Sequence, residues 1–150
     1  ELLKEDWGVA ADVWSVTSWT ELRRDGLACD EQAYLRPGGE QRTPWVTEKL
    51  KDTEGPVVAV SDWMKAVQDQ IREWVPGDYA ALGADGFGFS DTRPAARRYF
   101  HIDGPSMAAK ALQMLAEQGK VPRDSLAQAI AKYKLHDITA GTSGNAGGES

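Results

Sequence analysis

Residues 55 to 88 read GPVVAVSDWMKAVQDQIREWVPGDYAALGADGFG, and this stretch decides the fold class. Val57 to Val60 form an unbroken apolar run between Gly55-Pro56 and Ser61-Asp62. A strand buried on both faces has that pattern, because neither side looks at water. Ser61 and Asp62 offer side-chain oxygens to the free amides of a following helix. Trp63, Val67, Ile71 and Trp74 then recur at steps of four, four and three, one apolar helical face that stops before Pro76-Gly77. Tyr79 to Leu82 is the next short strand. Strand, helix and strand in that order imply a parallel pair with a crossover. The turn GADGFGFSDTRP follows, with Ser90 or Asp91 as the next helix cap and Pro94 in the first helical turn.

Upstream, Glu1 to Trp7 reads as the last turns of a helix, with Gly8 as its left-handed terminator. Ala11 to Trp19, ADVWSVTSW, is rich in Val, Trp and Thr and is expected to be a mostly buried strand. Ser18 and Glu21 have the spacing of a capping box, so a helix should start at Trp19 or Thr20 and run through ELRRDGLACDEQAYL with an interruption at Gly26. RPGGEQRTP breaks it, and a short helix is expected at Trp45 to Leu50. Downstream, Ser106 to Gln118 sets Ala108, Ala111, Leu112 and Leu115 at helical spacing, and Pro122 opens a last helix with Leu126, Ile130 and Tyr133. The expected domain is 1–140, an α/β fold with a mostly parallel sheet covered by helices. The sequence 141–150, GTSGNAGGES, holds no aliphatic residue larger than alanine and is expected to be a disordered tail. An opening helix followed by a strand normally follows an earlier strand, so the domain is expected to lack its first strand, leaving a sheet edge open to self-association.

Composition removes several classes of function. The 150 residues suit one domain, and 41% hydrophobic with 27% charged residues is globular usage. No run approaches the roughly 20 apolar residues that span a bilayer, so no membrane role is expected. Seventeen Lys and Arg against 23 Asp and Glu leave a net charge of −6, which disfavours nucleic acid as a partner. Cys29 is the single cysteine and His101 and His136 the only histidines, too few soft ligands for a structural zinc. A reducing, cytoplasmic location follows as the expectation.

No motif forms a complete catalytic set. Gly83-Ala84-Asp85-Gly86-Phe87-Gly88 is G-x-x-G-x-G, neither a dinucleotide fingerprint nor a P-loop, so turn geometry is the first reading and phosphate binding the second. Gly88-Phe89-Ser90 begins a nucleophile elbow, but Thr92 stands where the second glycine belongs. His101 sits two residues before Asp103 without a second reacting group, and Arg93, Arg97 and Arg98 read as a solvated or salt-bridged face. Cys29 is expected to be a small buried residue, and most of the six tryptophans are expected in the core. Catalytic, cofactor and metal residues are therefore expected to be none. Asp85, Phe87, Ser90, Arg93 and His101 are candidates for a face turned to a neighbouring domain or subunit, since strand-end glycines, aromatics and arginines combine there.

Three segments carry a resemblance: DVWSVTSWTELRRDG (Asp12 to Gly26), SDWMKAVQDQIREWVPGDYAALGADGFGFSDTR (Ser61 to Arg93) and RRYFHID (Arg97 to Asp103). They resemble the C-terminal domain of the homodimeric pyruvate dehydrogenases, the decarboxylating first component of the bacterial pyruvate dehydrogenase complex. LGADGFGFSDTR, Leu82 to Arg93, is the most specific piece and has a looser counterpart in transketolase. The resemblance runs from Glu1 to about Leu135. It implies an enzyme that uses thiamine diphosphate and magnesium and passes an acetyl unit from pyruvate to a lipoyl group on an acyltransferase, with a dihydrolipoyl dehydrogenase as third partner. It also implies that cofactor and catalytic residues lie in preceding domains and that this domain helps hold a homodimer. Asp85-Gly86 is half of the Gly-Asp-Gly signature for magnesium, but Ala84 replaces its first glycine and the only Asn is Asn145. A transketolase, another 2-oxo acid dehydrogenase, or an independent α/β module with a nucleotide on the GADGFG turn are the alternatives.

Overall fold

The computed structural model describes residues 1–141, so the tail expected at 141–150 lies, apart from Gly141, outside the described residues. Its centre is the expected parallel pair. Strand β1 (Val57–Val60) and strand β2 (Tyr79–Leu82) run in register from Val57 opposite Tyr79 to Val60 opposite Leu82. The ladder is extended at both ends, where Val57 N donates to Asp78 O at 2.8 Å and Ser61 N to Leu82 O at 3.3 Å.

Seven α-helices surround the pair: α1 (Leu2–Trp7), α2 (Trp19–Leu35), α3 (Trp45–Leu50), α4 (Lys65–Asp69), α5 (Arg93–Tyr99), α6 (Gly104–Glu117) and α7 (Ser125–Tyr133). Gly8 ends α1 at φ 65°, a left-handed conformation that costs glycine little. Ser18 Oγ accepts from Glu21 N at 3.2 Å and starts α2 where the capping spacing places it, while the Glu21 carboxylate pairs with Arg24 instead of reaching back. The last helix begins at Ser125, three residues after Pro122.

Three expectations are corrected. Helix α2 is not interrupted at Gly26: it is continuous, and a Cβ at Gly26 would stand 2.3 Å from the Trp74 indole. That glycine is a packing device, letting the ring lie on the helix backbone. The helix after β1 does not run from Trp63 to Trp74. It comprises α4 and a single 3₁₀ turn at Arg72–Trp74, which sends Ile71, Trp74 and Val75 inward while Trp63, ahead of α4, stays 69% exposed. Finally, Ala11 to Trp19 contains no strand. The chain has no regular structure there, Trp19 already belongs to α2, and Val13 is 95% exposed. Val, Trp and Thr fit a pleated surface, but a strand also needs a neighbour with which to exchange backbone hydrogen bonds, and residues 11–17 exchange none with any described segment.

Two apolar cores result. Val46, Ala59, Ile71, Trp74, Val75 and Tyr79 pack between β1, β2 and the α2–α3 side, with Trp19 and Leu22 at the margin. Ala109, Leu112 and Ala129 join α6 to α7, and Leu3 and Trp7 of α1 lean on them. Beside the first core lies an open cleft of about 2320 Å³. Its walls are the whole of β1, the residues around Val13 and Val16, the α1 end at Leu3 and the α6 side chains Met107 and Ala111. Small-molecule sites occupy roughly 300–1,000 Å³, so this space is of polypeptide size.

Candidate functional site

In a parallel sheet, loops that leave the carboxyl ends of the strands are where recognition concentrates. Here these are the Ser61–Lys65 loop after β1 and the Gly83–Thr92 turn after β2. They are clasped together. Ala84 N donates to Trp63 O at 3.0 Å, and Lys65 N donates to Asp85 Oδ1 at 2.9 Å. Lys65 Nζ stands 3.8 Å from Asp85 Oδ2. The N-cap of α4 is Met64, which has no side-chain oxygen, so Asp85 reaches across the turn to accept a first-turn amide; neither Ser61 nor Asp62 is that cap. Ser61 Oγ accepts instead from Trp63 N at 3.1 Å.

Gly83 is where the two loops meet. A Cβ on it would lie 2.5 Å from Trp63 O and 2.7 Å from Lys65 N, both backbone atoms that cannot move aside cheaply. Gly86 adopts φ 97°, which side chains avoid. The glycines therefore serve the turn, and the amides of Ala84 and Asp85 already have acceptors at Trp63 O and Gly83 O. Beneath the clasp, fully buried Gln68 donates through Nε2 to Ser61 Oγ at 2.5 Å and to Leu82 O at 3.1 Å, tying the two strand ends together. Tyr79 donates to Gln68 O at 2.7 Å, and burial, reinforced by the Asp69 carboxylate, holds its hydroxyl far above the ordinary phenol range despite the opposing Arg72.

The candidate residues divide. Asp85 is exposed, and its carboxylate is engaged by the clasp at Lys65. Phe87, at the crown of the turn, is 98% exposed. Phe89 turns back and stacks on Tyr99 of α5, ring centroids 4.4 Å apart and planes 9° apart, so the turn is fixed at both ends. Ser90 and Asp91 do not cap α5. Thr92 does, its Oγ1 accepting from Ala95 N at 3.5 Å, and exposed Arg93 is the first helical residue. His101 is exposed at φ 57°. Asp103 is no partner for it, because its Oδ2 accepts from Arg98 Nε at 2.5 Å and its Oδ1 from Ser106 N, at the start of α6, at 3.0 Å.

Of the solvated or salt-bridged face expected for the arginines, Arg98 takes the salt-bridged form, but buried. It is 4% exposed and also donates to Tyr133 O at 2.8 Å and Lys134 O at 3.3 Å, the end of α7. The guanidinium thus joins three helices, a role that RRYFHID did not reveal because the two α7 carbonyls lie 35 and 36 residues away in sequence. Trp63 and Met64 were missed as well. Both are exposed beside the turn, at 69% and 55%, and the period-of-four count had placed Trp63 in a core. Trp14 and Trp45 are also half exposed, so core packing does not account for most of the tryptophans.

The described residues do not fit a magnesium diphosphate. No three His, Cys, Asp or Glu among them stand close enough to hold a metal, and the Asp85 carboxylate is engaged by α4. Burial pushes the Cys29 thiol up, away from thiolate reactivity. No described helix is long and apolar enough to cross a membrane.

The chain is 55% identical over 140 residues to the "Pyruvate dehydrogenase E1 component" of Mycolicibacterium smegmatis, 51% over 140 residues to that of Mycobacterium tuberculosis, and 42% over 136 residues to that of Escherichia coli K12. These alignments cover 93%, 93% and 90% of the chain, which spans about 15% of the length of each relative. Residues 1–103 match the transketolase-like TK C-terminal domain, and the chain belongs to that family.

Proposed function

We propose that this chain is the C-terminal domain of a pyruvate dehydrogenase of the E1 type. The observation that carries the reading is identity of 42–55% spread over nine-tenths of the chain in relatives that share one printed name. The enzyme decarboxylates pyruvate with thiamine diphosphate and magnesium, both held by parts outside these 150 residues. It passes the acetyl group to the lipoyl-bearing acyltransferase and shares the complex with a dihydrolipoyl dehydrogenase, in the cytoplasm. No residue of this chain is assigned to catalysis, cofactor or metal. Its own task is structural: it completes the subunit and helps hold the homodimer.

The cleft supports this assignment. Leu3 lines it at the α1 end, and β1 offers it an unpaired edge. A strand directly before α1, parallel to β1 and joined through α1 to the Ala11–Ser18 segment, would give that segment the neighbour it lacks and turn two strands into a sheet of four by the usual crossover. Such a strand belongs to the longer polypeptide.

The test is turnover by the complete enzyme carrying this domain. Release of carbon dioxide from pyruvate, dependent on added thiamine diphosphate and magnesium, is expected. Transfer of a two-carbon unit from a ketose phosphate instead would favour a transketolase, and activity towards neither would overturn the reading.

A further inference from the structure

The clasped strand-end loops present large apolar side chains on a rigid base. Phe87 is 98%, Trp63 69% and Met64 55% exposed, all within the two loops joined through Ala84, Trp63, Lys65 and Asp85. The base is tied at both ends: the Gly83 backbone packs so close to Trp63 O and Lys65 N that no side chain would fit between them, and the Phe89–Tyr99 stack anchors the far side of the turn. Lys65 and Asp85 pair across the two loops at 3.8 Å, and Asp62 stands exposed beside Trp63. Aromatic and methionine side chains are the residue types enriched in interface cores. Held in place, they cannot escape water by local collapse.

We infer that Trp63, Met64 and Phe87 form a docking platform for the part of the same polypeptide that precedes Glu1. The inference rests on the E1 reading above and adds the contact surface that reading leaves open. The occupant follows from length. The relatives are matched over only 15% of their own chains, so most of the enzyme's surface is built by sequence outside this domain. Asp85 joins the two loops from the surface, Ser90 lies on the same turn, Arg93 opens α5, and His101 lies beyond the far end of that helix. The acyltransferase component is the competing occupant, which the experiment separates.

A photo-cross-linking phenylalanine analogue is placed at position 87 of the complete enzyme, and adducts are mapped by mass spectrometry in the presence of the acyltransferase. Adducts with peptides that precede Glu1 are expected. Adducts with the acyltransferase alone, or quenching by solvent with no adduct, overturn the inference. A second measurement covers failure of that variant to fold. In the F87C enzyme, alkylation of the peptide carrying position 87 should run about a hundredfold slower in the native enzyme than after denaturation, as protection against local opening requires. Equal rates overturn it. Pyruvate turnover by the same preparations reports on the E1 reading separately: an active enzyme without adducts rejects the platform and keeps the enzyme, and adducts in an enzyme inactive on pyruvate do the reverse.

Discussion

The α5–α7 end and the β1 edge are both made of ordinary apolar residues, yet one is closed and the other open. At the α5–α7 end every helix finds its partner within the chain: Ala109, Leu112 and Ala129 are buried, and Arg98 satisfies the carbonyls that end α7 and the carboxylate that caps α6. At the β1 edge, Val13 and Val16 stand exposed around a cleft although their residue types suit a sheet at least as well. The difference is connectivity. Helices satisfy their backbone internally and need only side-chain contact, whereas a strand exists only through a neighbour.

The closed end should break hardest at Arg98. Its replacement by methionine keeps much of the volume but leaves Asp103 and the Tyr133 carbonyl without their donor in a buried place. Removing one partner of a buried ion pair typically costs about 3–5 kcal/mol. R98M should therefore lower the urea midpoint by the largest amount of any change discussed, and adding D103N should recover part of it. A midpoint within error of the parent would show that the three-helix junction is held by apolar contact alone.

Between the two regions sits the clasp, where neighbouring glycines should respond differently. G83A puts a methyl into the Trp63 and Lys65 backbone and should cost about 1–3 kcal/mol, the range for overpacking. At Gly88 the backbone has no positive φ and the space is open, so G88A should stay within about 0.5 kcal/mol. Equal effects at both sites, measured by chemical denaturation, would mean that the loops do not bear on one another.

How much of this was legible in the sequence follows the same division. VVAV and YAAL announce strands because a short apolar run between turn residues admits few other fates, though only Ala59, Tyr79 and Leu82 are buried and β1 is otherwise half-buried along the cleft rather than covered on both faces, and Ser18 with Glu21 places the start of α2. Contacts between residues distant in sequence leave no local trace. Gly26 reads as a helix break and is in fact the seat of Trp74, 48 positions on. Asp85 reads as half a metal motif and is the missing cap of α4. At the platform, Phe87 could be named because it crowns a glycine turn. Trp63 could not, because its spacing with Val67 and Ile71 imitates a helical face that α4 does not extend far enough to include.

The polar contact between α1 and α7 offers a smaller, pH-dependent test. Asp6 pairs with Lys132 Nζ at 2.5 Å and accepts from Tyr133 Oη at 2.7 Å, and these contacts, the Lys132 one first, hold its carboxyl below the usual 3.8. A carboxylate whose pKa is lowered by folding stabilises the fold fully above the unfolded value and loses that contribution as pH falls through the folded one. D6N should therefore reduce stability slightly at pH 7, and its difference from the parent should shrink as pH falls below the usual carboxyl value. A difference that persists undiminished in acid would assign the effect to packing rather than charge.

The smallest effect expected in this chain is the most informative about the open edge. Val13 is 95% exposed, so V13S in the 150-residue chain should change stability by no more than about 0.5 kcal/mol. In the complete enzyme the same substitution acts on a residue that the preceding strand would bring into a paired sheet. Burial of a valine side chain is worth about 1.5 kcal/mol or more, and a serine hydroxyl without a partner adds to the loss. The ratio of the two effects is therefore the measure of the cleft. A large cost only in the complete enzyme means that this segment is a strand awaiting its neighbour. A negligible cost in both means that residues 11–18 keep their exposed path there too, and the four-stranded sheet is wrong.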